Sequence, residues 1–236
     1  MDNPQISKIQ TALQHGDYEL KGQFTFGSNY TFLVTVHYQG REYPAVYKPT
    51  RGEQPLWDFR ENSLAGREVA AYLASEALGF HIVPFTTLRE DGPHGEGSLQ
   101  QYIEYDPEYH YFNFSEEDKQ LLKPVVLFDL LCNNADRKGS HVFFESGTHK
   151  LYAIDHGICF HEDDKLRTVL WDFAGQRIPQ DLLSRLPPGR SLLTDLERYL
   201  SPREISALCA RAESILKKGV FPRQPRDRRA LPWPPL

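Results

Sequence analysis

Residues 132–161 read CNNADRKGSHVFFESGTHKLYAIDHGICFH. Two short apolar runs, 141–145 and 150–154, flank Ser146-Gly147-Thr148-His149. Their spacing predicts a β-hairpin turning near residues 147–148. In such a hairpin residue 141 lies beside 154 or 155, so His141 and Asp155 meet at the open end. Asp136, in the polar loop five residues before His141, reaches the same point. Two carboxylates and an imidazole converging at a strand end can bind a divalent cation and orient a hydroxyl. A lone loop aspartate is usually only a surface charge. Here three groups converge, and Asp155 follows the apolar Leu-Tyr-Ala-Ile and precedes Gly157, which argues for a site.

Upstream, Ser115 with Asp118 marks a helix start, and Pro124 opens an apolar helical run, Val125–Cys132, closed by Asn133-Asn134. Farther back the pattern changes to strands. Residues 30–38 alternate, with Phe32, Val34 and Val36 on one face. Gln39-Gly40-Arg41-Glu42 turns the chain, and residues 43–48 return as a second strand ended by Pro49 and Gly52. A helix is expected over 63–78, stopped by Gly79. Strands follow around Thr86–Arg89 and Ser98–Glu104, joined by a glycine-rich turn over Asp91–Gly97. Lys48 ends the returning strand. Glu68 lies on the apolar side of the helix between Leu64 and Tyr72, where a carboxylate needs a cation, and Lys48 is the candidate. Phe26-Gly27-Ser28-Asn29-Tyr30 is a small-polar turn before a strand whose amides can cradle phosphates.

Beyond Asp155 the remainder is expected to be helical. Ser201-Pro202-Arg203-Glu204 is its clearest signal, a capping box with proline at the first helical position. The pattern divides the chain near Asp106 into a β-rich N-lobe (1–105) and an α-rich C-lobe (106–221). Residues 222–236, PRQPRDRRALPWPPL, form an extended tail. The favoured reading packs the tail on its own domain, and the alternative uses Trp233 to hold a protein partner.

Bulk properties narrow the function. With 236 residues, 40% hydrophobic and 25% charged, the chain has the balance of a folded globule. No apolar run approaches the ~20 residues of a membrane span. A net charge of −5 argues against a general nucleic-acid binder. Three scattered cysteines give neither a disulfide framework nor a zinc site, so a reducing cytoplasm fits.

Five stretches together, GSNYTFLV, AVYKPTRGEQP, GREVAAYLASEALGFHIVP, NNADRKGSHVFF and AIDHGICF, resemble the phosphatidylinositol 3-/4-kinase branch of the protein-kinase-like superfamily. The similarity is to type II phosphatidylinositol 4-kinases and small bacterial proteins related to them, and runs from Gly27 to about Phe160. It implies an α+β, two-lobed protein-kinase-like fold with an ATP cleft between the lobes. Gly27, Ser28 and Asn29 would then cover the phosphates. Lys48, oriented by Glu68, would hold the α/β-phosphates. Gln101 to Glu104 would form the hinge, with the backbone of Tyr102 and Ile103 near the adenine. Asp136 would position the acceptor hydroxyl, and Asp155 would bind Mg²⁺. Two features depart from the family pattern. His141 stands where an asparagine is usual, which points toward Mn²⁺, a single metal or lost catalysis. Acidic Glu162-Asp163-Asp164 occupies the segment where lipid kinases carry basic residues. The acceptor is therefore left open among lipid, small molecule and protein. The alternative functions are a nucleotide-binding pseudokinase acting as a partner-binding module, and a metal hydrolase built from His141, Asp155, His156 and His161.

Overall fold

The computed structural model describes residues 4–24, 30–186 and 189–236. A first helix, α1 (Pro4–His15), leads into β1 (Asp17–Gln23), β2 (Phe32–Tyr38) and β3 (Arg41–Pro49). Helix α2 (Leu64–Ala77) follows, then β4 (Thr86–Gly92) and β5 (Gly95–Gln101). The five strands make one antiparallel sheet in the order β1-β2-β3-β5-β4. Alternation along β2 sends Val34 and Val36 inward, onto Leu13, Ala45, Tyr47, Phe85 and Leu99. The β4–β5 turn is only Pro93-His94, so β5 starts and ends three residues earlier than expected.

Helix α2 decides the architecture. Nine of its fourteen residues are buried, more than one apolar stripe can account for. The helix is covered on one side by the sheet and on the other by α6 (Arg190–Leu196). Arg67 and Glu68 are therefore both interior, and each needs a partner there. Helices α3 (Glu116–Gln120), α4 (Lys123–Cys132), α5 (Gln180–Leu183) and α7 (Pro202–Lys218) complete the second half with the hairpin β6 (Val142–Phe144) and β7 (Leu151–Ala153). The large core of this half includes Leu127, Phe128, Leu131, Phe160 and Leu208. Between the halves, Ile103 packs with Phe143 and Tyr152, and Tyr105 stacks on Phe143 at 4.0 Å.

Helix α1 and strand β1 are additions to the elements expected from the sequence. The expected helical stretch beyond Asp155 is irregular as far as Pro179. That segment bonds to the loop after α4, with Ala135 N donating to Ile158 O and Arg167 N to Asn134 O. Residues 222–236 are neither helix nor strand and lie against this half of the molecule. Arg228 forks onto both Asp164 oxygens at 2.8 Å, Thr168 N donates to Ala230 O, and Gly139 N donates to Pro235 O.

Candidate active site

A cleft of about 560 Å³ lies between the sheet and the hairpin, within the usual size for a small-ligand site. Val46 and Lys48 of β3, Glu68 of α2, Tyr102 and Ile103 of the connecting segment, and Asp136, His141 and Asp155 of the second half all line it. Gly27, Ser28 and Asn29 lie outside the described residues.

The Lys48 ammonium sits at the centre. Its Nζ donates to Glu68 Oε1 at 2.5 Å and to Asp155 Oδ1 at 2.8 Å. Burial pulls its pKa down, but Asp155 and Glu68 together outweigh that and hold it above the ordinary lysine value. Glu68 is fixed from its other side as well, because Oε2 accepts from His156 N at 3.0 Å. The Asp155 carboxylate lies deep in the molecule yet is 46% exposed, because it faces the open cleft. Depth raises its pKa, while Lys48 and then His141 pull harder and keep it well below the carboxylate range.

His141 Nε2 stands 3.2 Å from Asp155 Oδ2. The hairpin register does this, since Val142 pairs with Ala153 and Ile154 N donates to His141 O. Burial, opposed by Asp155, lowers the His141 pKa to about 4, so the imidazole is neutral and can serve as a metal ligand. No group of three His, Cys, Asp or Glu side chains able to hold an ion occurs among the described residues. Two cleft donors suit a cation that takes its other ligands from phosphate oxygens and water. The hydrolase constellation does not form. His156 is fully buried with Nε2 at 2.8 Å from Arg137, and His161 Nε2 meets Asp58 O at 2.7 Å.

Asp136 behaves in the opposite way from Asp155. Burial raises its pKa to about 6, Lys138 opposes, and Asp155 adds to the rise. Lys138 Nζ is 3.4 Å from its Oδ2, a loose pairing. Of the two hinge residues, Tyr102 has its N–H bonded to Pro44 O. The main-chain groups of Ile103 carry no such bond among the described residues. Trp171 borders a small void with Phe221 and is not part of the cleft.

One part of the site was missed from sequence. Arg137 and Asp129 are both buried, with Nε–Oδ2 at 2.8 Å and Nη2–Oδ1 at 2.9 Å. Arg137 also donates to Ile154 O and His141 O. One guanidinium thus joins the end of α4, the loop carrying Asp136 and both hairpin ends. Asn134 joins the same network, giving Nδ2 to Asp129 and accepting Asp136 N. Arg67 is a second buried cation, bonded to Cys159 O and to Glu204 of the α7 capping box. Gly139 completes the loop, since a Cβ there would sit 2.7 Å from the Phe112 ring.

No family model matches the chain. Protein Rv2133c of Mycobacterium tuberculosis is 35% identical over 262 residues, covering 94% of this chain and 93% of that protein. The chain belongs to the family of Rv2133c. Among solved structures, the Rv2133c-family fold is similar to the Golgi casein kinase, with a TM-score of 0.59 and 16% identity over 92% of this chain and 74% of that one. The same kinase with Mn and ADP bound gives 0.58 and 16% over 92% and 76%. The Helicobacter pylori proinflammatory kinase CtkA gives 0.56 and 13% over 89% and 94%. The fold is therefore protein-kinase-like, with a β-rich lobe, an α-rich lobe and the cleft between them.

Proposed function

We propose that the protein is an ATP-dependent phosphotransferase that moves the γ-phosphoryl group onto a hydroxyl. The observation that carries this reading is Lys48 bridging Glu68 and Asp155 across a cleft that also holds Asp136. Residues 1–105 act as the N-lobe, 106–221 as the C-lobe and 222–236 as a tail strapped to it. In the reaction Lys48 holds the α/β-phosphates and Glu68 fixes Lys48 in place. Asp155 with His141 would hold a divalent cation, Mg²⁺ or Mn²⁺, which would neutralise charge on the phosphates. Asp136 orients the acceptor hydroxyl and takes its proton, a role suited to a carboxylate with a pKa near 6. Ile103 meets the adenine, and Gly27, Ser28 and Asn29 cover the phosphates. The resemblance to phosphatidylinositol 3-/4-kinases and a cytoplasmic setting belong to this reading.

The test is thermal unfolding of the wild type and Asp155→Ala with ATP, under Mg²⁺, Mn²⁺ and no metal. Ligand at ~100 times its dissociation constant adds about 2.7 kcal/mol. That is a rise of roughly 5–10 °C for a chain of this size. A metal-dependent rise that Asp155→Ala abolishes is expected. No rise with any metal would overturn the reading. A rise without turnover of labelled ATP on any hydroxyl acceptor would leave the binding-module alternative standing instead.

A further inference from the structure

The acidic residues Glu162, Asp163 and Asp164, which stand where lipid kinases carry basic ones, do not face the cleft. Asp164 is held by Arg228 of the tail, Glu162 is 3.8 Å from Arg203 of α7, and Asp163 is 74% exposed. None of the three lines the cleft. The same segment continues into Arg167, and its backbone runs alongside the Asp136 loop. Arg137 and Thr168 form a parallel bridge, with Arg137 N donating to Arg167 O at 3.0 Å and Val169 N to Arg137 O at 3.1 Å. Side chains alternate across such a pair. Arg137 and Thr168 point into the core, where both are buried. Asp136 and Arg167, one residue earlier on each chain, therefore share the opposite face; Asp136 lines the cleft, and Arg167 lies beside it, just outside that lining.

The guanidinium of Arg167 has no hydrogen bond or ion pair among the described residues, although the residue is partly buried. The arginines that bond the same segment or the end of α4, Arg137, Arg211 and Arg228, are all engaged. Lys165 is likewise taken, by Asp58 at 3.0 Å. Beside Asp136, then, stand Lys138 and Arg167, and both cations draw the Asp136 pKa down against its burial and the charge of Asp155. A planar guanidinium left free there matches the two oxygens of a phosphate or carboxylate.

We infer that the acceptor carries an anionic group, a phosphate or carboxylate, next to the hydroxyl that is phosphorylated, and that Arg167 binds it. This rests on the phosphotransferase reading for its chemistry, but the anion subsite can be tested apart from it. Inorganic phosphate is titrated into the protein by thermal unfolding, with Mn²⁺ and a non-hydrolysable ATP analogue filling the nucleotide side of the cleft. The wild type, Arg167→Gln and Arg167→Lys are compared. No hydrogen bond or ion pair of the Arg167 guanidinium is lost in either variant among the described residues, and the phosphate-free midpoint of each shows whether it folds. Phosphate is expected to raise the wild-type midpoint, with half-saturation at least about tenfold weaker in Arg167→Gln and partly restored in Arg167→Lys. An equal phosphate response in Arg167→Gln, or none in the wild type, overturns the inference. The response to the ATP analogue in the same titration is the separate check on the phosphotransferase reading. Labelled ATP with matched alcohols then places the anion. Glycerol is paired with glycerol 3-phosphate, inositol with inositol 1-phosphate, and each with phosphatidylinositol vesicles. Transfer to the phosphorylated member of a soluble pair indicates a free metabolite, and transfer to vesicles alone indicates a lipid headgroup. Equal transfer to the uncharged members refutes the anionic acceptor.

Discussion

Replacing Asp136 by asparagine is predicted to stabilise the protein at neutral pH while removing the proposed phosphoryl transfer. Burial lifts the Asp136 pKa from 3.8 to about 6, so the folded state disfavours the ionised form. One pKa unit is about 1.4 kcal/mol, which sets a ceiling of about 3 kcal/mol. The side chain is 27% exposed and water screens part of this, so about 1.5–3 kcal/mol is expected. The sign follows from proton linkage. Between the unfolded pKa and the folded one, the folded state binds more protons, so this group's contribution to stability falls as pH rises. Below about pH 4 both states are protonated and the penalty vanishes. Above about pH 7 it is complete. Asparagine keeps the shape and carries no charge. The advantage of Asp136→Asn should therefore grow about twofold from pH 5 to pH 7.5, read as the difference in urea-unfolding free energy. At pH 7.5 it corresponds to a midpoint roughly 4–10 °C higher. The same pKa should appear as the acid limb of the kcat/KM profile. A variant no more stable than wild type at pH 7.5, or one with the same gain at both pH values, would refute the reasoning.

Removing one partner of a buried pair leaves a charge without compensation. Arg137→Met should cost about 3–5 kcal/mol in urea unfolding, because Asp129 is then buried alone; a loss under 1 kcal/mol would contradict the network. Lys48→Met should cost about 3 kcal/mol for the same reason at Glu68, and adding Glu68→Gln should restore most of it. Additive losses in that double mutant would show that the two groups are not coupled. His141→Asn replaces an imidazole by an amide oxygen, so the ratio of Mn²⁺ to Mg²⁺ affinity, measured by thermal shift with ATP, should fall. An unchanged ratio would remove His141 from the metal site.

The site was legible where local geometry determines it. A hairpin with a short turn puts His141 opposite Ile154, and helical spacing puts Glu68 inside, so both could be placed without tertiary information. Strand β1 was not legible because it is an edge strand exposed along nearly its whole length, and no alternation marks it. Helix α1 did leave a trace, with Ile9, Ala12 and Leu13 at helical spacing before Gly16. The irregular segment beyond Asp155 could not be read locally. Its hydrogen-bond partners include residues 132–137, 219–221, Arg228 and Ala230, all distant in sequence. The Asp129–Arg137 pair had a signal that went unused, a carboxylate in the middle of the apolar run Val125–Cys132. Such a group cannot be buried without a cation, and the nearest arginine, eight residues on, supplies it.

That pair also explains how one cleft holds two carboxylates with opposite tendencies. Asp155 faces Lys48 and His141, which hold its pKa well below the carboxylate range, so it stays ionised at neutral pH, as a proposed cation ligand must. Asp136 faces a loosely held lysine and is partly desolvated, so it can exchange a proton near neutral pH. Environments that push two titratable groups apart assign the acid–base roles. The assignment holds only if neither carboxylate drifts toward the other's cation. Arg137 prevents this by bonding the carbonyls of His141 and Ile154, which flank the site on both hairpin strands, while its own backbone carries Asp136. Arg137, fully buried, therefore holds in place both the aspartate proposed to bind the metal and the aspartate proposed to take the proton.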